Sequence, residues 1–267
     1  MTRLIFRAGA LALLGLCLVS MGWSQGKKDK DKDSEQAAAA PKVPKDELNA
    51  YNKFVAATKS NDTQMKISLG EEFVAKYPNS IYAGVVEGQL AIAYMSLNQV
   101  DKLVEAGEKS LAADPNNIDV LPMMAFALAR KNGGTAQQLE QSQNYAKRAL
   151  NLLSSMPKPK DMDDKTFNTV KNQKIAQSHS AIGTDLFKTG KFDDAVAELT
   201  QAVNTDPEPD SVDYYLLGLS NDRANHFTDA VAAFDKCGTL PGALAPQCKA
   251  LSAETKKKSA NSLEAPK

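Results

Sequence analysis

The sequence predicts an all-α protein, a right-handed α-solenoid of about five helix–turn–helix hairpins closed by a C-terminal capping helix. Three observations predict it. From Asp46 to about Lys258 apolar residues recur at helical spacing, while runs of β-branched and aromatic residues bounded by turns are nearly absent. Helix-stopping clusters fall at regular places: Asn61-Asp62, Pro78-Asn79-Ser80, Asn98-Gln99, Asp114-Pro115-Asn116, Asn132-Gly133-Gly134, Pro157-Lys158-Pro159, Gly190-Lys191, Asp206-Pro207 and Pro241-Gly242. The segments between them make about eleven helices joined by short turns, which favours antiparallel neighbours. Last, two stretches repeat one another: Gly183 and Gly218 are 35 residues apart, as are Ala195 and Ala230.

Taken in order, the first 24 residues read as an export signal. Arg3 and Arg7 supply a basic start, Ala8 to Gly22 is apolar, and Gly22-Trp23-Ser24 offers small residues before a cut at Gln25. The alternative is an uncleaved anchor facing the periplasm, although the apolar run is short for a membrane-spanning helix. Cys17 lacks the small residue before it that lipid attachment wants. Residues 25–45 are charged and low in complexity, and read as a disordered linker. The helical region, 46–258, divides into hairpins at 46–79, 80–116, 117–157, 160–208 and 209–241, with a cap at 242–258 and a disordered tail at 259–267.

Composition agrees with packed helices. Hydrophobic residues make up 43% of the chain and aromatics only 6%. The core is therefore filled with Ala, Leu, Val and Met, which suits close helix contacts. Without residues 1–24 the chain carries 30 basic and 32 acidic residues, a balance of −2, too little positive charge to suggest nucleic acid.

The unit Ala176 to Asp210 shows why the spacing matters. Small residues at Gly183, Ala195 and Ala202 allow close approach of helices, and Ile182, Leu186, Phe192 and Leu199 fill the space between. Pro207 has no backbone N–H to donate inside a helix, so it ends one hairpin and opens the next. Tyr214, Leu217, Gly218, Phe227, Ala230 and Phe234 hold the matching positions of the following unit. These residues resemble the tetratricopeptide repeat, a helix–turn–helix of about 34 residues. Residues 176–240 match best and 80–115 more loosely, with Ala91, Tyr94 and Pro115 in place but Leu103 and Gly107 departing from the pattern. The ending EEFVAKYPNS of the first unit, followed by Ile81-Tyr82-Ala83, is similar to repeats in bacterial envelope proteins. Residues 118–156 form a degenerate unit, and 160–175 extend the helix that runs through Lys188.

The resemblance implies a stack whose first helices line a concave groove that holds proteins or peptides. Carried over by register, the groove is Gln89, Ile92 and Met95, then Met123, Phe126 and Arg130, then Ser180 and Thr184, and finally Tyr215, Leu219 and Asp222. The family's clamp for a C-terminal carboxylate needs Lys, Asn and Arg where this chain has Ser180, Thr184, Val212 and Leu216, so that ligand mode is not expected. The expected function is a non-enzymatic scaffold or adaptor in the bacterial envelope. The alternative is a structural accessory subunit of an envelope assembly, secretion or enzyme complex.

No catalytic, cofactor-binding or metal-binding pattern stands out. His179 falls at a packing position and His226 in a turn. Gly133-Gly134 follows no strand, so it is a hairpin turn and not a phosphate cradle. Asp161, Asp163 and Asp164 lack the pattern of a calcium loop and fit a helix start. Cys237 and Cys248 have two readings: a disulfide that staples the cap to the last hairpin, or a buried thiol at Cys237 standing in for Ala. Partner identity and oligomeric state are not encoded in any recognisable motif.

Overall fold

The computed structural model describes residues 43–264, with the backbone alone at 261–264; the expected signal and most of the expected linker lie outside this span. Eleven helices follow one another: α1 (Lys45–Thr58), α2 (Thr63–Lys76), α3 (Ala83–Ser96), α4 (Val100–Ala113), α5 (Leu121–Arg130), α6 (Ala136–Ser154), α7 (Asp164–Lys188), α8 (Phe192–Thr205), α9 (Ser211–Arg223), α10 (Phe227–Thr239) and α11 (Ala245–Glu264). They pair as five hairpins and a cap, each packed on the next, in an all-α solenoid. The cap helix continues to Glu264, past the expected end at 258.

The turns inside three hairpins are copies of one another. Asn98, Gly190 and Asn225 take left-handed φ values of 55°, 77° and 63°. In each case the following N–H reaches back five residues: Gln99 donates to Tyr94 (2.9 Å), Lys191 to Leu186 (2.9 Å) and His226 to Asn221 (2.8 Å). This closes the free carbonyls at the helix end, and Gly and Asn are the residues that tolerate it. The turns between hairpins repeat as well. Asp114 and Asp206 each accept from the backbone N–H two residues on, at 3.0 Å, across Pro115 and Pro207. That bond fixes the chain in a turn that proline then keeps from continuing as helix.

Helix starts are capped where the sequence supplies an oxygen. Asp62, Asp163 and Asp210 accept from the third N–H beyond them, and Thr135 forms a capping box with Gln138. Asp163, one of the three clustered aspartates, is thus a helix cap. Residues 164–188 form one unbroken helix.

Small residues set the helix separations. A Cβ on Gly218 would lie 2.5 Å from the Phe234 ring, and one on Gly183 would lie 2.6 Å from Leu199 Cγ and 3.1 Å from its backbone N. Both pairs join the two helices of a single hairpin. At the N-terminal end Tyr51 stacks on Tyr82 (centroids 4.0 Å) and tilts against Phe73 (5.9 Å), tying α1 to α2 and to the start of α3. At the other end Cys237 and Cys248, both fully buried, form a disulfide with Cα atoms 5.8 Å apart. It closes a short loop between α10 and α11 and contributes about 3 kcal/mol on chain-entropy grounds.

Gly183→Val adds side-chain volume where the Leu199 backbone cannot retreat. Overpacking outweighs the gain in helix propensity. The expected loss is about 2 kcal/mol in urea unfolding monitored by circular dichroism.

Candidate functional site

The groove expected from repeat register does not run unbroken through the structure. Only its first section, on α3, is open. Ile92 is 39% exposed, and Gln89 and Met95 are half-buried. In the middle section Met123, Phe126, Ser180 and Thr184 are 3%, 7%, 1% and 4% exposed. These four are core residues. The physical reason is an alanine layer: Ala125 and Ala129 of α5, Ala146 of α6, and Ala181 and Ile182 of α7 form one buried cluster. Small side chains let α5 and α7 come together directly, and nine successive residues of α5, Leu121 to Ala129, are buried.

Arg130 locks this closure. Its guanidinium lies over the Phe126 ring at 3.9 Å and reaches Asp210 (2.9 Å), Asp213 (2.6 Å) and the Ser180 hydroxyl (3.2 Å). Ser180 in turn donates to Asp213. One side chain from the end of α5 therefore holds α7 and the start of α9. Burial pushes the Asp213 carboxyl up to about 6, opposed by the Arg130 charge, while Arg130 helps hold Asp210 below its ordinary value against burial. Arg130 Nε has no hydrogen-bond partner.

The last section of the expected groove is occupied by the chain's own cap. Lys258 pairs with Asp222 at 3.0 Å, Thr255 donates to the same carboxylate, and Gln247 donates to the Tyr215 hydroxyl at 2.9 Å. Leu219 is half-buried. Val212 and Leu216, at the absent clamp positions, are also half-buried.

What remains is an apolar surface confined to the N-terminal hairpins. Leu48, Met65, Ile81, Val85 and Ile92 are the exposed large hydrophobic residues among the described ones, and all fall between positions 48 and 92. Residues 85, 89 and 92 share one side of α3 at helical spacing, with residue 81 in the turn just before it. Residues 83, 87, 90 and 94 share the other, which faces α2 and α4.

The histidines have structural partners. His179 Nδ1 lies 2.7 Å from a Glu198 carboxylate oxygen, and His226, at the start of α10, lies 3.6 Å from Asp193. Among the described residues no group of three or more His, Cys, Asp or Glu could hold a metal ion, and no helix is long and apolar enough to cross a membrane.

Sequence reasoning missed Asp185. It is fully buried on α7 and neither carboxylate oxygen has a hydrogen-bond partner. The Ser142 hydroxyl donates instead to the Ala125 carbonyl. Burial pushes the Asp185 carboxyl up to about 7, against the pull of the Lys188 charge. The Lys188 ammonium caps the end of α5 through the Ala129 and Lys131 carbonyls, and its burial lowers its own pKa. The sequence signal was a lone Asp in the apolar register of α7, three residues before the end of the helix.

The fold is an all-α stack of helix–turn–helix hairpins, the architecture the sequence resemblance implied, and among the described residues the expected groove is open only at its N-terminal end. No known family's sequence pattern matches the chain, and no curated protein matches it. Solved structures do. MamA residues 41 to the end from Desulfovibrio magneticus RS-1 is 14% identical, with a TM-score of 0.50 over 73% of this chain and 94% of that one. MamA AMB-1 is 17% identical, with a TM-score of 0.50 over 73% and 98%. The Thermus thermophilus TPR protein TTC0263 is 18% identical, at 0.46 over 78% and 98%. For the two MamA structures, at these identities, the likeness is one of fold.

A carboxyl raised from 3.8 to about 7 by folding keeps its proton in the native state while the unfolded chain has lost it. Its contribution to stability is full below pH 3.8 and falls as pH rises toward 7. Asp185→Asn is therefore expected to be near neutral at pH 5 and stabilising by about 2 kcal/mol at pH 8.5, in urea unfolding at the two pH values.

Proposed function

We propose that the chain is a non-enzymatic scaffold of the bacterial cell envelope that binds a protein partner on the inner face of its N-terminal hairpins. The observation that carries this is the exposed stripe on and before α3: Ile81, Val85 and Ile92 face solvent while the rest of the inner face is filled by the protein's own side chains. An apolar stripe left uncovered on a protein with an otherwise complete core is the usual mark of a docking surface. Its length, from Ile81 to Ile92, spans about three helical turns, enough for a partner helix or an extended segment. Gln89 and Met95 flank it with one hydrogen-bonding group and one adaptable thioether.

Export supports the envelope setting. The N-terminal 24 residues have the makeup of a signal, and the buried Cys237–Cys248 bond belongs in an oxidising compartment. The expected partner is a protein or peptide. Nucleic acid is disfavoured by the balanced charge.

The test is a charge placed in the stripe. The double variant Val85→Asp/Ile92→Asp is expected to keep its melting temperature within about 2 °C, since both side chains are exposed. In envelope-fraction cross-linking it should lose the partner bands of the wild type about tenfold or more. Retention of the same partners at wild-type yield would overturn the proposal.

A further inference from the structure

We propose a second binding site, on the opposite side of α3, that takes an extended basic segment of a partner protein with apolar residues beside its Lys or Arg. The site is a groove of about 890 Å³ walled by α2 and α4 and floored by α3. It is independent of the inner-face stripe, which uses the other side of the helix.

The shape favours an extended chain. The floor runs from Ala83 to Tyr94, twelve residues of helix, which is about 16 Å from end to end at 1.5 Å rise per residue. That accommodates roughly five residues of extended peptide. Ala75, Ala83, Ala106, Ala112 and Ala113 line it, so the walls are low, apolar and permit close approach.

The charges choose the ligand. Three carboxylates, Glu71, Glu87 and Glu105, line the groove with two ammonium groups, Lys102 and Lys109. Lys102 is engaged by Glu71 at 3.1 Å, and the same carboxylate accepts from the Tyr94 hydroxyl. Lys109 is engaged by Glu105 at 2.8 Å and stands farther, at 3.5 Å, from Glu87. Glu87 is thus the surplus anion, and it is the buried one: its side chain is 9% exposed where those of Glu71 and Glu105 are 47% and 69%. Burial holds its carboxyl above the ordinary range, opposed by Lys109, which Glu87 shares with Glu105. A buried carboxylate opening on an apolar groove is satisfied by an incoming ammonium or guanidinium whose stem lies along the alanines.

Phage-displayed random decapeptides selected on the full chain provide the test. Enriched peptides should share a Lys or Arg flanked by apolar residues. They should bind Glu87→Gln about tenfold more weakly, the value of losing one charge-assisted hydrogen bond. Ala112→Leu, which fills the groove from an exposed position without touching its charge, should weaken them by a similar factor. Val85→Asp, on the opposite side of α3, should leave their binding within about twofold, which separates this site from the inner-face stripe. Failure to enrich any peptide, enrichment without a basic residue, or equal binding to Glu87→Gln would each overturn the proposal.

Discussion

The middle of the molecule depends on one guanidinium. Arg130 stands at the end of the short α5 and spans to α7 and to the first turn of α9, so three successive hairpins share a single charge. A repeat stack needs only neighbour-to-neighbour contacts to bury its apolar faces. Here an ionic bridge reaches past the nearest neighbour, and a buried pair of this kind fixes geometry more than it adds net stability. It fastens the α5–α7 contact that the alanine layer makes, in which the side chains that would line a continuous groove are buried.

The two ends of the solenoid are finished differently. The C-terminal end is sealed by α11, through the disulfide and the bonds of Lys258, Thr255 and Gln247 to α9. The N-terminal end keeps its apolar residues exposed on the inner side of α3 and leaves a charged, alanine-lined groove on the outer side. α3 thus separates two surfaces of different chemistry, one apolar and one with a surplus buried carboxylate.

The fold was legible because its determinants are local. Asn98, Gly190 and Asn225, the Asp-Pro pairs and the 35-residue spacing each act within a few residues of chain, and they fix hairpin geometry wherever they occur. The site was only partly legible. Register put Gln89, Ile92 and Met95 on α3, where Ile92 is exposed and the other two are half-buried, but it also put Met123, Phe126, Ser180 and Thr184 in a groove that alanine packing between α5 and α7 closes. Arg130 looked like a ligand-facing cation because its partners, Asp210 and Asp213, lie about 80 residues away along the chain. No local pattern encodes such a meeting. Asp185 and Glu87 were overlooked for a related reason: a carboxylate on a helix usually faces water, and only the stacked structure shows which ones do not.

The most direct measurement is a double-mutant cycle between Arg130 and Asp213 in urea unfolding. If the guanidinium organises the middle of the stack, Arg130→Met leaves Asp213 buried without its counter-charge and costs about 3 to 5 kcal/mol. Adding Asp213→Leu then recovers most of that loss, leaving the double variant within about 1 kcal/mol of wild type. Simple additivity of the two single variants, or a loss below about 1 kcal/mol for Arg130→Met, would contradict the central role given to this residue.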